Sequence, residues 1–243
     1  MSTALQIAGW WARDYAYAVG RQLRSAVSRV SPDEFLSGDG RPVVVIPGIY
    51  EDWRFLLPLI EELHAAGHPV HVVTMLQRNR IAVPRAAALL AHYLGERGLT
   101  DAVIVAHSKG GLIGKYAMTL LDPEQRISRM VAVCSPFSGS RYAGFMLLPS
   151  LRALSPRNPV TLQLGRELSV NERITSVFGL FDPHIPEGSV LPGAHNIQLQ
   201  TGGHFRILAH PDTVRAVLAG AGAPAQAPHG QGTAHAEGEA RSG

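Results

Sequence analysis

The most informative stretch of this sequence is Ala106-His107-Ser108-Lys109-Gly110-Gly111, where a run of apolar residues ends and a helical pattern begins. A strand that turns sharply into a helix strains the backbone of the turn residue, and small residues two positions to either side relieve the clash. Ala106 and Gly110 are such neighbours of Ser108. The pattern predicts that Ser108 projects from the carboxyl end of a sheet, before a helix N-terminus that stabilises negative charge. A serine that only caps the helix is the alternative, but it leaves these small residues unexplained.

Apolar runs and helical patterns alternate along the rest of the chain. The predicted strands are Val43–Ile46, Val70–Thr74, Ala102–Ala106, Met130–Cys134, Ile174–Phe178 and Asn196–Gln200, the last with an alternation typical of an edge strand. The predicted helices between and after them are Trp53–Ala66, Val83–Arg97, Gly110–Leu121 and Pro211–Leu218. Wholly apolar strands separated by helix-length segments indicate an α/β fold: a mostly parallel sheet of about six strands with helices on both faces.

Composition indicates one globular domain with distinct ends. The chain has 243 residues, 46% of them hydrophobic, and a single cysteine, which rules out a disulfide scaffold. We divide it into an N-terminal amphipathic helix and linker (1–38), a catalytic domain (39–219) and a tail (220–243). The tail contains no Leu, Ile, Val or Phe, and we expect it to be disordered because it has little to bury.

The N-terminal helix carries an apolar stripe. Its members fall at every fourth position: Ile7, Trp11, Tyr15, Val19, Leu23 and Val27. We expect the stripe to pack against the body of the protein, as amphipathic helices usually do. The alternative is a membrane-surface role, because several arginines lie beside the stripe.

Charge and targeting signals exclude several other classes. The 22 basic residues, of which only Lys109 and Lys115 are lysine, exceed the 19 acidic ones by three and are spread along the chain. No basic patch marks a nucleic-acid binder. The sequence shows neither a secretory leader nor an apolar stretch long enough for a membrane span, so we expect a cytoplasmic protein.

The segment around Ser108 resembles the nucleophile motif of the α/β-hydrolase fold, in particular that of small bacterial lipases and esterases. The motif there is Gly-x-Ser-x-Gly or the Ala-x-Ser-x-Gly variant found here, and the similarity extends from about Pro42 to Leu218. The resemblance implies that Ser108 is the nucleophile and that its partners follow in the order acid, then histidine. The lid is expected to be small or absent.

The chain order restricts the choice of these partners. His204 lies in a glycine-containing loop between the last strand and the last helix, where this family carries its base, so we prefer it to His184, His195 and His210. Asp182 follows the penultimate strand and is the expected acid, whereas Asp122 and Asp212 lie at less suitable points. An ordinary Asp-Pro turn is the alternative explanation of Asp182.

Two backbone amides are expected to stabilise the oxyanion. One belongs to Lys109, directly after the nucleophile. The other is assigned to Ile49, in the loop after the first strand, where Gly48 allows close backbone approach. This family usually has His-Gly at that loop, and the present chain has Pro47-Gly48 instead. A backbone donor survives such a change unless the loop moves.

Apolar residues after the fourth strand indicate the acyl site. Ser135-Pro136-Phe137-Ser138-Gly139-Ser140 is similar to the lipase segment Thr-Pro-His-x-Gly-Thr, and a further apolar cluster follows it. We assign substrate contacts to Tyr50, Phe137, Phe145 and Met146. Residues 141–160 fit a small lid, an acyl-site wall or ordinary core packing. We expect no cofactor and no metal, because neither the three nearby histidines at 64, 68 and 71 nor Cys134 forms a convincing ligand set.

These observations predict a serine hydrolase that cleaves carboxylic esters, with lipid-like acyl esters preferred. The predicted catalytic residues are Ser108, Asp182 and His204. Thioester or amide hydrolysis and acyl transfer on the same triad remain alternatives within enzymes. A catalytically silent binding protein with a hydrolase fold is the alternative from a different class, favoured by the altered loop at Pro47. Peripheral membrane contact through the N-terminal helix is a third possibility.

Overall fold

A single parallel sheet of six strands forms the centre of the protein. The computed structural model describes residues 4–222, so most of the predicted tail lies outside the described residues. The strands are β1 Val43–Ile46, β2 Val70–Val72, β3 Ala102–His107, β4 Ile127–Val133, β5 Ile174–Phe181 and β6 His195–Gly202. Their spatial order is β2-β1-β3-β4-β5-β6, and every neighbouring pair is parallel. This confirms the predicted α/β class and the edge position of the last strand.

Helices cover both faces of the sheet. They are α1 Ala4–Val27, α2 Leu57–Ala65, α3 Val83–Glu96, α4 Lys109–Leu120, α5 Pro149–Arg152, α6 Pro159–Arg166 and α7 Pro211–Ala221. The side chains of β1 alternate between the two layers: Val44 and Ile46 pack in the core that includes α3 and α4, while Val43 and Val45 pack in the core that includes α2 and α7. Because both faces are buried, β1 is apolar throughout and β3 is apolar from Ala102 to Ala106.

Strand starts and ends differ from the prediction where polar residues lie within the sheet. β4 begins at Ile127 rather than Met130, because the intervening Ser128 and Arg129 keep partial contact with solvent at the amino end of the sheet. β5 continues to Phe181, three residues beyond the predicted end. This extension brings the sheet up to Asp182, the predicted acid.

Helix α1 packs against the body of the protein with the face opposite to the one predicted. Its buried residues are Trp10, Asp14, Arg21 and Ser25. Most of the apolar stripe instead faces solvent: Trp11, Val19, Leu23 and Val27 are exposed by 49%, 57%, 65% and 78%, whereas Ile7 and Tyr15 are half-buried. The expectation that the stripe is buried was therefore wrong for four of its six residues. Polar residues occupy the inner face because they bind backbone groups of the loops beneath it, as when Arg21 donates to the carbonyls of Arg54 and Phe55.

The connection between β4 and β5 is built from short helical turns. A 3₁₀ turn at Arg141–Phe145 leads into α5 and then α6. Leu154 is buried here, whereas Phe145 and Leu147 are exposed by 85% and 95%.

No helix in the described part of the chain combines the length and hydropathy that crossing a bilayer requires.

Candidate active site

Ser108 lies at the turn from β3 into α4 in a strained backbone conformation. Its φ and ψ are 52° and −122°, in a region that residues other than glycine rarely occupy. The Ser108 amide donates to the carbonyl of Val133 at 2.9 Å, which fixes the turn to β4. At Gly110 a Cβ atom would lie 2.4 Å from the carbonyl oxygen of Ile46, so only glycine lets α4 approach β1 this closely. The small residue that the sequence placed here therefore has a steric cause.

The three side chains predicted to act together are joined by hydrogen bonds. Nε2 of His204 lies 3.0 Å from Oγ of Ser108, and Nδ1 of the same ring lies 2.8 Å from Oδ2 of Asp182. The other oxygen of Asp182 accepts the amides of His184 and Ile185 at 2.8 and 3.1 Å. The backbone after β5 thus holds Oδ1 of the carboxylate, and Oδ2 orients the imidazole.

Burial and charge act in opposite directions on this pair. Burial lowers the pKa of His204, but the charge and hydrogen bond of Asp182, helped by the charges of Glu51 and Asp14, raise it above its usual value of 6.5. Burial likewise raises the pKa of Asp182, but His204 and the amide of His184 outweigh it and hold the pKa below the usual value. Asp182 is therefore ionised at neutral pH and favours the imidazolium form of His204.

Asp14 of α1 holds the backbone of the His204 loop. Its carboxylate accepts the amides of His204, Phe205 and Arg206 at 2.9, 2.8 and 2.7 Å, and Asp14 is fully buried. Gly203 has φ 127°, and a Cβ atom there would lie 2.6 Å from Oδ1 of Asp14. The contact spans 190 residues of sequence, and sequence analysis missed it. The glycine pair before His204 was the one available signal, since it indicates the close approach of another segment.

His107 and Glu51 form a second buried link that sequence analysis missed. Nδ1 of His107 lies 2.8 Å from Oε1 of Glu51, and its Nε2 lies 3.0 Å from the carbonyl oxygen of His204. Glu51 also accepts the amide of Gly48 at 2.6 Å. The residue before the nucleophile thus joins the β1 loop to the loop that carries His204.

The β1 loop is fixed from several sides despite the proline at position 47. The side-chain amide of Asn79 donates to the carbonyl of Pro47 at 2.7 Å, and the amide of Tyr50 donates to the carbonyl of Arg78 at 2.8 Å. Within residues 4–222 the amide of Ile49 donates to no acceptor. Lys109 is the first residue of α4, where helix amides have no intrahelical partner. The amides of Ile49 and Lys109, the two predicted oxyanion donors, are therefore both available to an acceptor.

The side chain of Lys109 ties this region to the segment after β2. Its Nζ donates to the carbonyls of Asn79 and Ile81 at 2.8 and 2.5 Å. Burial lowers the pKa of Lys109 to about 8. Because Asn79 in turn binds Pro47, one buried amine supports the loop that carries Ile49.

A cavity of about 460 Å³ opens above Ser108. Its lining is mostly apolar and comes from the β1 loop, the β4–β5 connection, the His204 loop and α1. Of the predicted substrate contacts, Tyr50 and Met146 line it. Phe137 is instead buried in the core on the α3–α4 side of the sheet, and Phe145 points into solvent. The structure therefore brings two of these four residues to the cavity.

Comparisons with known proteins agree on the architecture. No protein-family model matches the chain, and no curated protein matches it. Lipase B of Aspergillus fumigatus matches 76% of this chain and 52% of its own, with a TM-score of 0.62 and 15% identity. MGS-MChE2, an α/β hydrolase enzyme from the metagenome of lagoon sediments at Mar Chica, Morocco, matches 75% of this chain and 90% of its own, with a TM-score of 0.57 and 17% identity.

A third solved structure, the mature lipase BlEst2 of Bacillus licheniformis, matches 71% of this chain and 87% of its own, with a TM-score of 0.51 and 16% identity. Together with the parallel sheet and the strand–turn–helix at Ser108, these matches decide the architecture. The chain has the α/β-hydrolase fold. Activity has to be argued from the site, because one fold carries many functions.

His184 lies beside His204 in this α/β-hydrolase fold. Its ring centroid is 4.8 Å from that of His204, and the hydroxyl of Tyr15 lies 3.2 Å from its Nε2. Burial, helped by the neighbouring His204, lowers the pKa of His184 to about 4. His184 is therefore neutral at physiological pH and forms part of the cavity wall.

The alternative candidates for the base and the acid lie elsewhere in the fold. His195 begins β6 at the opposite end of the sheet, and His210 caps the start of α7. Asp122 accepts the amides of Arg126 and Ile127 before β4, and Asp212 pairs with Arg215.

Asp182 and His204, together with Cys134, also have the spacing of a metal site. Ligand atoms of Cys134, Asp182 and His204 lie within 4.8 Å of one another. Burial raises the pKa of the Cys134 thiol well above its usual value, so the thiol is protonated and a poor ligand. Asp182 and His204 already bind each other. The donor set therefore does not fit a resident metal.

Proposed function

We propose that this protein is a serine hydrolase that cleaves carboxylic esters through an acyl-enzyme intermediate. Ser108 is the nucleophile, His204 the general base and Asp182 the residue that orients the imidazole. The supporting observation is the chain of hydrogen bonds from Oγ of Ser108 through His204 to Asp182, at 3.0 and 2.8 Å. A serine hydroxyl becomes an effective nucleophile when a positioned base takes its proton.

The contacts suggest the course of the reaction. Nε2 of His204 takes the hydroxyl proton as Oγ of Ser108 attacks the carbonyl carbon, and the amides of Ile49 and Lys109 receive the resulting oxyanion. Collapse of this intermediate releases the alcohol, which takes the proton from His204. Water then attacks the acyl-enzyme by the same route, and the acid is released.

Acyl esters with apolar chains are the proposed substrates. Met146, Leu151 and Leu154 of the β4–β5 connection line the cavity together with Ile185 and the ring of Phe205. Such a wall offers no hydrogen bonds to a polar acid portion, and it favours an alkyl chain by burying it. Tyr50 and Ser140 add two hydroxyl groups to the lining of the cavity.

A fluorophosphonate probe and a series of nitrophenyl esters of increasing acyl length test the proposal. We expect the probe to label the protein, and Ser108→Ala to abolish both labelling and turnover, by up to about 10⁶-fold. Ser128→Ala is the matched control, since this serine lies at the amino end of β4 and bonds the carbonyl of Ala102. Turnover that persists in Ser108→Ala would contradict the assignment.

The same assay separates the alternative activities. Labelling without hydrolysis of any ester, combined with cleavage of acyl thioesters, would assign the triad to thioesters. A wild-type protein that is folded but takes no label would be a binding protein with a hydrolase fold.

A further inference from the structure

The outward face of α1 is apolar along its whole length. It lies opposite the buried residues Trp10, Asp14, Arg21 and Ser25. The residues on it are Leu5, Ala8, Ala12, Ala16, Val19, Leu23 and Val27, and all are exposed. Exposure reaches 87% at Leu5 and 65% at Leu23. A helix face that contacts only water is normally polar, so this face is unusual for a surface helix.

The charges that remain on the outside of α1 are positive. Arg13 and Arg24 are exposed, and Arg29 follows just after the helix. The one acidic residue of α1, Asp14, is fully buried against the amides of the His204 loop. Apolar and cationic groups therefore occur together on this surface without acidic ones.

This surface lies beside the entrance to the cavity. Tyr15 and Gln22 of α1 line the cavity, as do Tyr142 and Met146 from the β4–β5 connection. The tip of that connection, Phe145 to Leu148, is also exposed and apolar. Trp11 and Tyr142 line one surface groove, which brings the two elements together. Two exposed apolar segments thus flank the opening that leads to Ser108.

We propose that the outward face of α1 and the tip at Phe145 to Leu148 form a docking surface for an anionic lipid bilayer. A helix with an apolar face and flanking arginines binds in the interface of such a bilayer by burying the apolar side chains while the cations meet the headgroups. A second copy of this chain fits less well, because a symmetric pairing would bring the same cationic surface against itself. The proposal concerns binding and does not depend on the proposed hydrolysis.

Co-sedimentation of the full chain with vesicles tests the proposal. The vesicles are made of ether-linked phosphatidylcholine, with and without ether-linked phosphatidylglycerol, so no carboxylic ester is available for cleavage. We expect binding that needs phosphatidylglycerol and weakens with salt. Arg13→Gln combined with Arg24→Gln is expected to weaken it about 30-fold, from about fivefold for each cation near the surface.

Apolar variants test the two segments separately. Leu23→Asp and Leu147→Asp are each expected to weaken vesicle binding by about 10-fold or more, because a leucine that enters the bilayer is replaced by a charge. Leu120→Asp is the matched control: it is 40% exposed at the end of α4 remote from Ser108, and binding should not change. Circular dichroism confirms that each variant is folded.

Several results would overturn the proposal. These are absence of binding to both vesicle types, equal binding with and without phosphatidylglycerol, or Leu23→Asp and Leu147→Asp proteins that bind like the control. A dimer by light scattering that Leu23→Asp converts to a monomer would show that a second copy covers the face. A wild-type protein that binds vesicles but hydrolyses no ester would contradict the proposed function and leave the docking proposal intact.

Discussion

Replacement of Asp14 by asparagine tests how far α1 contributes to the active site. The carboxylate accepts three consecutive amides at 2.7 to 2.9 Å in a fully buried position. Asparagine keeps one acceptor oxygen and turns an NH₂ group toward amides that also donate. One charge-assisted bond is worth about 1.5–3 kcal/mol, and an unsatisfied buried donor costs about 1–3 kcal/mol. Together these predict a loss of about 3–5 kcal/mol in the free energy of unfolding.

This loss has a thermal and a kinetic consequence. For a chain of this size 1 kcal/mol corresponds to about 2–4 °C, so Tm should fall by about 6–20 °C. The His204 loop should also relax, and a misplacement of about 1 Å is enough to lower kcat about 100-fold. Because the charge of Asp14 helps to raise the pKa of His204, the acid limb of kcat/KM should move to lower pH.

Calorimetry and ester hydrolysis measured well below Tm provide the assay. Asp39→Asn is the control, since Asp39 is exposed in the turn before β1, at the sheet end opposite Ser108. A variant Asp14→Asn that loses stability but keeps the wild-type kcat and pH profile would show that the carboxylate serves only folding. Unchanged Tm and unchanged rates would refute the reasoning altogether.

Three further predictions follow from the site. Ester hydrolysis should decline as pH falls through the acid limb of the pH–rate profile, which should lie above 6.5, because His204 accepts a proton only when neutral. Asp182→Asn should shift that limb to lower pH and lower kcat by about 10⁴-fold. The pH–rate profiles of the two proteins measure both effects. Asn79→Ala removes the donor to the carbonyl of Pro47, so we expect the free energy of unfolding to fall by about 1–3 kcal/mol, which urea unfolding measures. We also expect a lower kcat with little change in KM, which steady-state kinetics measures. Gly110→Ala should lower the free energy of unfolding by about 1–3 kcal/mol, because the added Cβ meets the carbonyl oxygen of Ile46. Gly95→Ala in α3, where no atom lies within 4 Å of the added Cβ, should leave that free energy unchanged or raise it.

The sheet could be predicted from the sequence because its signals are local. β1 was predicted at the residues where it occurs, and β6 was correctly placed at the edge from its alternation. The positions of Ser108, Asp182 and His204 after β3, β5 and β6 likewise follow from chain order, since the carboxyl ends of parallel strands meet at one edge of the sheet.

The supports around the triad could not be predicted because their signals are not local. The face of α1 was assigned from apolar spacing alone, and spacing does not tell whether polar groups on the other face will find backbone partners. Asp14 finds three, in a loop 190 residues away. Glu51 and His107 each look unremarkable in sequence, and their pairing depends on the packing of the β1 loop over β3. Phe137 and Phe145 show the same limit, since hydrophobicity does not distinguish a core side chain from one lining a cavity or facing water.

The bond between Asp14 and the His204 loop also bears on how the molecule is made. Ribosomes add about 5–20 residues per second, so roughly 10–40 s separate the synthesis of the aspartate from that of its partner amides. During that time the carboxylate of Asp14 lacks its three partner amides, and the base that would activate Ser108 does not yet exist. The proposed nucleophile therefore has no base until residue 204 has been synthesised, and Asp14 can bind the amides of the His204 loop only after that point.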